Sequence, residues 1–255
     1  MIYITAETLT IQSLGGLEVT SVVEKLTFIN KIVYGDPGAG KTVLAGSADA
    51  VPEMRPVLFI DVEGGTFSLR DRYPDIHVVR VQSWDDMQNV YNALYKGTDY
   101  NTVVLDSLTE IQKFSMYNIM KFLVKENPDR DPDVPSMREW GKNIEQIRLL
   151  VRAFRDLPMH TIFTALAKTD KDNKTGAQRT KPSMSGKLAD EVAAFVDIVG
   201  YLYTKNVDGE LRRFLLTETT EKFVAKDRSD NLPQTLEEPT MAKIFEYAYQ
   251  GSETQ

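Results

Sequence analysis

The sequence predicts an α/β fold in which a mainly parallel sheet is flanked by helices and extended toward the C-terminus by antiparallel β-hairpins. Three observations carry that expectation. Short β-rich runs alternate with helix-length amphipathic stretches from about residue 31 onward, the rhythm of a parallel sheet. The runs at 57–61 and 102–105 are almost uniformly apolar, as strands buried on both faces must be. Beyond Val196 the rhythm changes to strand, turn, strand.

In order, a strand at 31–34 leads into a helix over about 41–47, then strands at 57–61 and 77–81 and a helix over about 85–95. The strand at 102–105 precedes two long helical patterns, 108–125 and about 137–154, separated by a polar, proline-bearing stretch at 126–136. A strand at 161–166, a long polar loop at 169–187 and a helix from about 188 follow. Runs at 196–204, 212–217 and 222–226, with a turn at Asn206-Val207-Asp208-Gly209, read as antiparallel hairpins, and a helix over about 240–249 comes last. No internal repeat is visible. The expected organisation is a short N-terminal segment, 1–30, and one domain, 31–255, within the size that a single α/β core can fill.

A chain with 42% hydrophobic and 26% charged residues is an ordinary globular protein, which removes collagen-like, coiled-coil and disordered readings. The absence of cysteine excludes a disulfide framework, a thiolate metal site and a Cys nucleophile, and fits a reducing compartment. The opening MIYITAETLT has neither the basic nor the apolar region of a signal peptide, and no run approaches the ~18 apolar residues of a membrane helix. A cytoplasmic protein without a membrane partner is expected. The net charge of −7 leaves nucleic-acid binding open, because that depends on where lysines and arginines cluster.

Gly35-Asp36-Pro37-Gly38-Ala39-Gly40-Lys41-Thr42 reads G-x-x-x-x-G-K-T and lies between a predicted strand and a predicted helix. Glycines let the backbone curl so that successive N–H groups point inward at phosphate oxygens, and the positive end of the following helix adds to the attraction. Lys41 is placed for the β and γ phosphates of a nucleoside triphosphate and Thr42 for Mg²⁺, which makes ATP with Mg²⁺ the expected cofactor pair. Asp106 ends the apolar strand, where a carboxylate can hold the magnesium shell. A cap for the helix starting near Leu108 is the other reading of Asp106, although Ser107 suits that role better. Glu63, just beyond Leu58-Phe59-Ile60-Asp61, has the reach of a general base for water, while a surface glutamate beside the Gly64-Gly65 turn reads equally well from the residues alone.

Taken together, the phosphate loop, Phe59-Ile60-Asp61-Val62-Glu63 and Val104-Leu105-Asp106-Ser107 resemble the ATPase core of the RecA-type recombinases, over about residues 31–226. The resemblance is greatest to the minimal RecA-like ATPases of bacteriophages that serve in single-strand annealing and recombination. It implies a RecA-like P-loop fold, with Glu63 activating water and Asp106 and Thr42 on the metal. Phe223-Val224-Ala225-Lys226-Asp227-Arg228 is similar to the K-x-R pair of hexameric replicative helicases in the same superfamily, which implies that Lys226 and Arg228 reach the γ-phosphate of a neighbouring subunit. A homo-oligomer, ring or filament, with a shared active site would follow. The family's nucleotide sensor, usually Gln or Asn, has no counterpart here: Thr164 stands mid-strand, with Lys168 and Thr169 as other substitutes. About thirty residues precede the first core strand, too few for a separate polymerisation domain.

At 169–187 the sequence places a long loop without periodicity, and counting Lys168 it carries Lys168, Lys171, Lys174, Arg179, Lys181 and Lys187 against Asp170 and Asp172. Such a segment can neutralise phosphates and release counterions, giving sequence-independent affinity for single-stranded DNA. RecA-like proteins hold a DNA-contacting loop at the matching position. No aromatic residue interrupts the segment to stack on bases. The expectation is therefore a DNA-stimulated ATPase supporting phage recombination or annealing in the cytoplasm of a bacterial host, with a single-stranded-DNA-binding protein as a further partner. A hexameric helicase-like or helicase-loading motor, a small-molecule kinase and a nucleotide-gated binding module are the alternatives. His77 and His160 lack metal-ligand spacing and read as structural.

Overall fold

The computed structural model describes residues 13–15, 17–18, 28–171 and 176–250. A small antiparallel pair, β1 (Ser13–Leu14) and β2 (Leu17–Glu18), precedes the main body. Then come β3 (Asn30–Gly35), α1 (Lys41–Gly46), β4 (Val57–Asp61), β5 (His77–Arg80), α2 (Trp84–Tyr95), β6 (Thr102–Asp106), α3 (Leu108–Glu126) and α4 (Met137–Arg155). The remainder is β7 (His160–Lys171), β8 (Gln178–Pro182), α5 (Leu188–Phe195), β9 (Ile198–Val207), β10 (Glu210–Leu216), β11 (Lys226–Asp227), β12 (Thr235–Glu237) and α6 (Met241–Ala248).

The main sheet runs β12-β10-β9-β3-β7-β6-β4-β5, with β8 pairing β7 and β11 pairing β9. Strands β9, β3, β7, β6, β4 and β5 are mutually parallel, and β10, β12, β8 and β11 join antiparallel. Alternation divides each buried strand between two apolar layers. Ile32, Leu58, Ile60, Val103, Leu105 and Phe163 face the layer beneath α2, α3, α4 and α5. Val33, Val57, Phe59, Val104 and Ile162 face the layer beneath α1 and α6. The expected mainly parallel sheet with helices on both sides and antiparallel strands near the C-terminus is thus the observed architecture.

Helix ends follow local chemistry. Ser83 accepts from the Asp86 backbone N–H at 3.1 Å at the start of α2, and Ser136 with Glu139 forms a capping box on α4. Between α3 and α4 a buried amide cluster fixes their register: Gln112 Nε2 donates to Asn143 Oδ1 at 2.8 Å, and Asn143 Nδ2 donates to Gln112 O and Ser115 Oγ, each at 2.9 Å.

Two expectations change. The strand read as ending at 166 continues to Lys171 and returns as β8, so much of the expected loop is a two-stranded ribbon in the register Lys168↔Lys181, Asp170↔Arg179. The ribbon's residues are mostly polar, so it has no apolar alternation for the sequence to display. The strand read at 222–226 shrinks to Lys226–Asp227, which pairs with the start of β9 rather than with β10. Upstream, Thr219 draws the chain into a local turn, donating to Ala225 O at 2.5 Å and accepting from its N–H at 3.1 Å.

Lys31 on β3 lies in the layer beneath α6, 1% exposed, and its Nζ has no hydrogen-bond partner among the described residues. Burial outweighs the pull of Asp197 and brings its pKa down to about 8 from 10.5. Because the folded value lies below the unfolded one, the folded chain holds this proton more weakly. Its charge therefore costs stability below about pH 8, on the order of 3 kcal/mol, and the cost fades as pH rises toward 10.5. Lys31→Met is expected to raise the melting temperature at pH 7, with the gap to wild type closing in melts repeated up to pH 10.5. An unchanged or lowered melting temperature at pH 7 would contradict this.

Candidate nucleotide site

The loop that follows β3 begins where the backbone has no room for a side chain. A Cβ at Gly35 would lie 2.2 Å from the Leu202 carbonyl oxygen on β9, so β3 and β9 close together only over glycine. Gly38 and Gly40 turn the loop with φ of 80° and 101°, a region that side chains disfavour. Lys41 Nζ donates to the carbonyls of Gly35 at 3.0 Å and Asp36 at 2.9 Å, so the ammonium folds back over the loop's own mouth. Burial lowers its pKa, opposed by Asp106, Glu63 and Asp36. Phosphate oxygens would replace two neutral carbonyls with charged acceptors, which bind an ammonium more strongly.

Asp106, at the end of β6, joins that strand to α1 and β7. Its Oδ2 accepts from Thr42 Oγ1 at 2.8 Å, and its Oδ1 accepts from Thr164 Oγ1 of β7. Burial raises the pKa of Asp106, and the hydrogen bonds from Thr164 and Thr42 hold it back. A hard carboxylate and a hydroxyl side by side, beside a phosphate loop, fit Mg²⁺, which is commonly held by one or two carboxylates plus substrate phosphates. Thr42 and Asp106 are the residues that would hold it.

Glu63 stands exposed just past β4, on a turn organised by the buried Asp61. Asp61 Oδ1 accepts from the N–H groups of Gly64 at 2.6 Å and Gly65 at 3.3 Å, and Arg80 Nη1 pairs with it at 3.2 Å. Ser107 Oγ donates to Glu63 Oε1. That corrects the capping expectation: Ser107 is at the N-cap of α3, but its hydroxyl serves Glu63 and not the helix. The structure thus gathers Lys41, Thr42, Asp106 and Glu63 at one edge of the sheet. Asp61 and Arg80 were not singled out from the sequence, although the Asp directly before Val62-Glu63-Gly64-Gly65 was a signal for a side chain that folds the turn.

Other expected site residues lie elsewhere. Lys226 and Arg228 stand beside the start of β9, at the end of the sheet away from the phosphate loop of their own chain. Lys226 Nζ donates to the carbonyls of Ala193 at 2.9 Å, Ala194 at 3.3 Å and Val196 at 2.5 Å, capping the end of α5. Arg228 donates to Ala194 O at 2.8 Å and to Asp197 Oδ1 at 2.9 Å.

On the β7–β8 ribbon, Lys168 pairs with Asp170 at 2.9 Å and Lys181 pairs with Asp170 at 3.4 Å and Asp190 at 3.1 Å. Lys171, Arg179 and Lys187 are exposed and carry no ion pair among the described residues. Lys174 falls outside the described residues. Both histidines have structural partners: His160 Nδ1 accepts from Ile29 N at 3.1 Å, and His77 Nδ1 lies 2.8 Å from the Tyr100 hydroxyl.

Glu63→Gln keeps the shape and removes the carboxylate, so if Glu63 is the base nucleotide affinity should persist while turnover falls by about 10²- to 10⁴-fold. Titration calorimetry beside a phosphate-release assay checks this, and a variant with full turnover would exclude Glu63 as the base. Thr164→Val deletes one donor to Asp106, and hydrolysis is expected to require more Mg²⁺ for half-maximal rate. An unchanged Mg²⁺ dependence would mean that the Thr164 contact does not tune the site.

Among solved structures, the chain is similar to a KaiC-like protein, PH0186, from the hyperthermophilic archaeon Pyrococcus horikoshii OT3, at 17% identity and a TM-score of 0.43, covering 74% of this chain and 77% of that one. It is also similar to the flagellar accessory protein FlaH from Methanocaldococcus jannaschii, at 11% identity and a TM-score of 0.43, covering 74% of this chain and 76% of that one. Neither similarity is strong enough to carry a function across. No curated protein matches the chain. The family described as AAA domain, AAA_24, matches residues 27–229, which include the phosphate loop, Glu63, Asp106 and the ribbon, and the chain belongs to that family.

Proposed function

We propose that the chain is a Mg²⁺-dependent ATPase that binds single-stranded DNA, works as a homo-oligomer and serves phage homologous recombination or single-strand annealing. The observation that carries this reading is the placement of Thr164: β7 holds Asp106 through that hydroxyl and then runs on, without interruption, into the cationic ribbon. A change at the phosphates thus has one strand through which to reach the DNA.

In this reading Lys41 exchanges the Gly35 and Asp36 carbonyls for phosphate oxygens, and Glu63, oriented by Ser107, takes the proton of the attacking water. Bound Mg²⁺ supplies charge neutralisation on the phosphates. The exposed turn that carries Glu63 favours hydrolysis over a module that only stores nucleotide. Lys171 and Arg179 give the ribbon free positive charge, and Lys187, at the N-cap of α5, adds to it. For Lys226 and Arg228 to serve a neighbour's γ-phosphate, they must release the end of α5, so subunit contact would loosen that helix end.

An ATPase assay with and without single-stranded DNA across a salt series tests the proposal. Stimulation that weakens as salt rises is expected, because each phosphate contact releases condensed counterion. No stimulation at any salt concentration would remove the DNA role. Arg228→Ala is expected to lose about 10³-fold in turnover while still binding ATP, as for other arginines acting across subunits. Full turnover in that variant would remove the shared site, and directional unwinding of duplex DNA would favour the helicase-like alternative.

A further inference from the structure

We infer that Arg213 of β10 is a nucleotide-contacting residue that reaches the phosphate loop within one subunit and acts at the nucleoside end of the triphosphate. The inference deepens the nucleotide reading above and rests on it. Arg213 is exposed, and its guanidinium makes no hydrogen bond or ion pair among the described residues. Its neighbour Arg212 is by contrast held by Glu237 at 2.8 Å and Glu210 at 3.5 Å.

The backbone of Arg213 is fixed. Its N–H donates to Glu238 Oε1 at 2.7 Å and its carbonyl accepts from the Glu238 N–H at 2.8 Å. That anchorage sets the side chain against the phosphate loop: a Cβ built on Gly40 would lie 2.8 Å from Arg213 Nε. An uncommitted five-donor fork rests directly on the backbone that receives phosphates.

The strand order says which end of the nucleotide it meets. Asp106 ends β6 and Glu63 follows β4, both on one side of β3, and in the proposed reading they mark the γ-phosphate and metal end. β9 and β10 lie on the other side of β3. There, between the loop and the part of β9 that extends past β3, a groove of about 840 Å³ opens, lined by Pro37, Gly38, Tyr201, Tyr203, Leu211 and Arg213. Tyr201 and Tyr203, on the face of the β9–β10 pair opposite Arg213, lie 5.7 Å apart with near-parallel rings and add an aromatic surface to the groove's lining. Arg213 stands at the junction of loop and groove, placed for the α- and β-phosphates that ADP and ATP share.

A contact at that end changes affinity for both nucleotides and leaves the chemical step alone. Arg213→Ala is expected to weaken ADP and ATP binding alike by about tenfold to a hundredfold, the worth of a hydrogen bond to a charged group, with turnover at saturating ATP unchanged. Arg213→Lys should recover part of the affinity. Titration calorimetry with ADP and with ATP, a saturation curve for turnover, and a thermal melt to show an intact fold measure these quantities. Unchanged ADP affinity in a folded Arg213→Ala protein would overturn the inference, as would a loss confined to turnover. Wild-type protein that is folded yet binds neither nucleotide would overturn the site itself, an outcome read before any variant is made.

Discussion

The hydrogen bonds that converge on Asp106 are the constraint on which the candidate site depends. A carboxylate buried at the end of a parallel strand is costly unless its oxygens are satisfied. Here the satisfying hydroxyls come from two different elements, Thr42 at the start of α1 and Thr164 in the middle of β7. That arrangement ties the phosphate loop to the central strand on which the ribbon is built. The base of the ribbon is fastened to the same region: Thr109, in the first turn of α3, accepts from Leu166 N at 3.1 Å and donates to Ser183 O at 3.3 Å. Tyr34, the residue before Gly35, donates its hydroxyl to Val224 O at 2.7 Å and to Thr180 O at 3.2 Å, a second link between loop and ribbon. The nucleotide end and the cationic end of the molecule are one connected body.

The parts of this arrangement that the sequence displays are those enforced by burial. Strands such as Val57–Asp61 and Thr102–Asp106 lie between two helical layers, so their interior positions are apolar and their limits are plain in the residues. The phosphate loop is legible because few other uses combine Gly35, Gly40, Lys41 and Thr42 at that spacing after a strand. The ribbon is not legible, since Gln178–Pro182 is polar on both faces and its pairing comes from the extension of β7. Long-range partnerships are hidden for the same reason. Nothing local to Thr164 or Ser107 says that their hydroxyls meet Asp106 and Glu63, and nothing local to Arg213 says that it lies on Gly40.

The cations divide by what holds them. Lys226, Arg228, Lys168 and Lys181 are engaged within the chain, by carbonyls at a helix end or by carboxylates. Arg213, Arg179, Lys171 and Lys187 are exposed and uncommitted among the described residues. A charge already paired must break a contact before it can bind an anion, whereas an exposed one loses only water and rotamer freedom. By this criterion Arg213 can meet an anion without breaking a contact, whereas Lys41 would first have to leave the Gly35 and Asp36 carbonyls, and Lys226 and Arg228 the end of α5.

Hydrogen–deuterium exchange across β7 and β8, with and without Mg²⁺ and a non-hydrolysable ATP analogue, tests most directly the claim that Asp106 joins nucleotide to ribbon. In wild type the analogue should slow exchange in the phosphate loop and also change it in the ribbon, and in Thr164→Val only the loop should respond. A ribbon that exchanges identically with and without bound nucleotide in the wild-type protein would contradict the account.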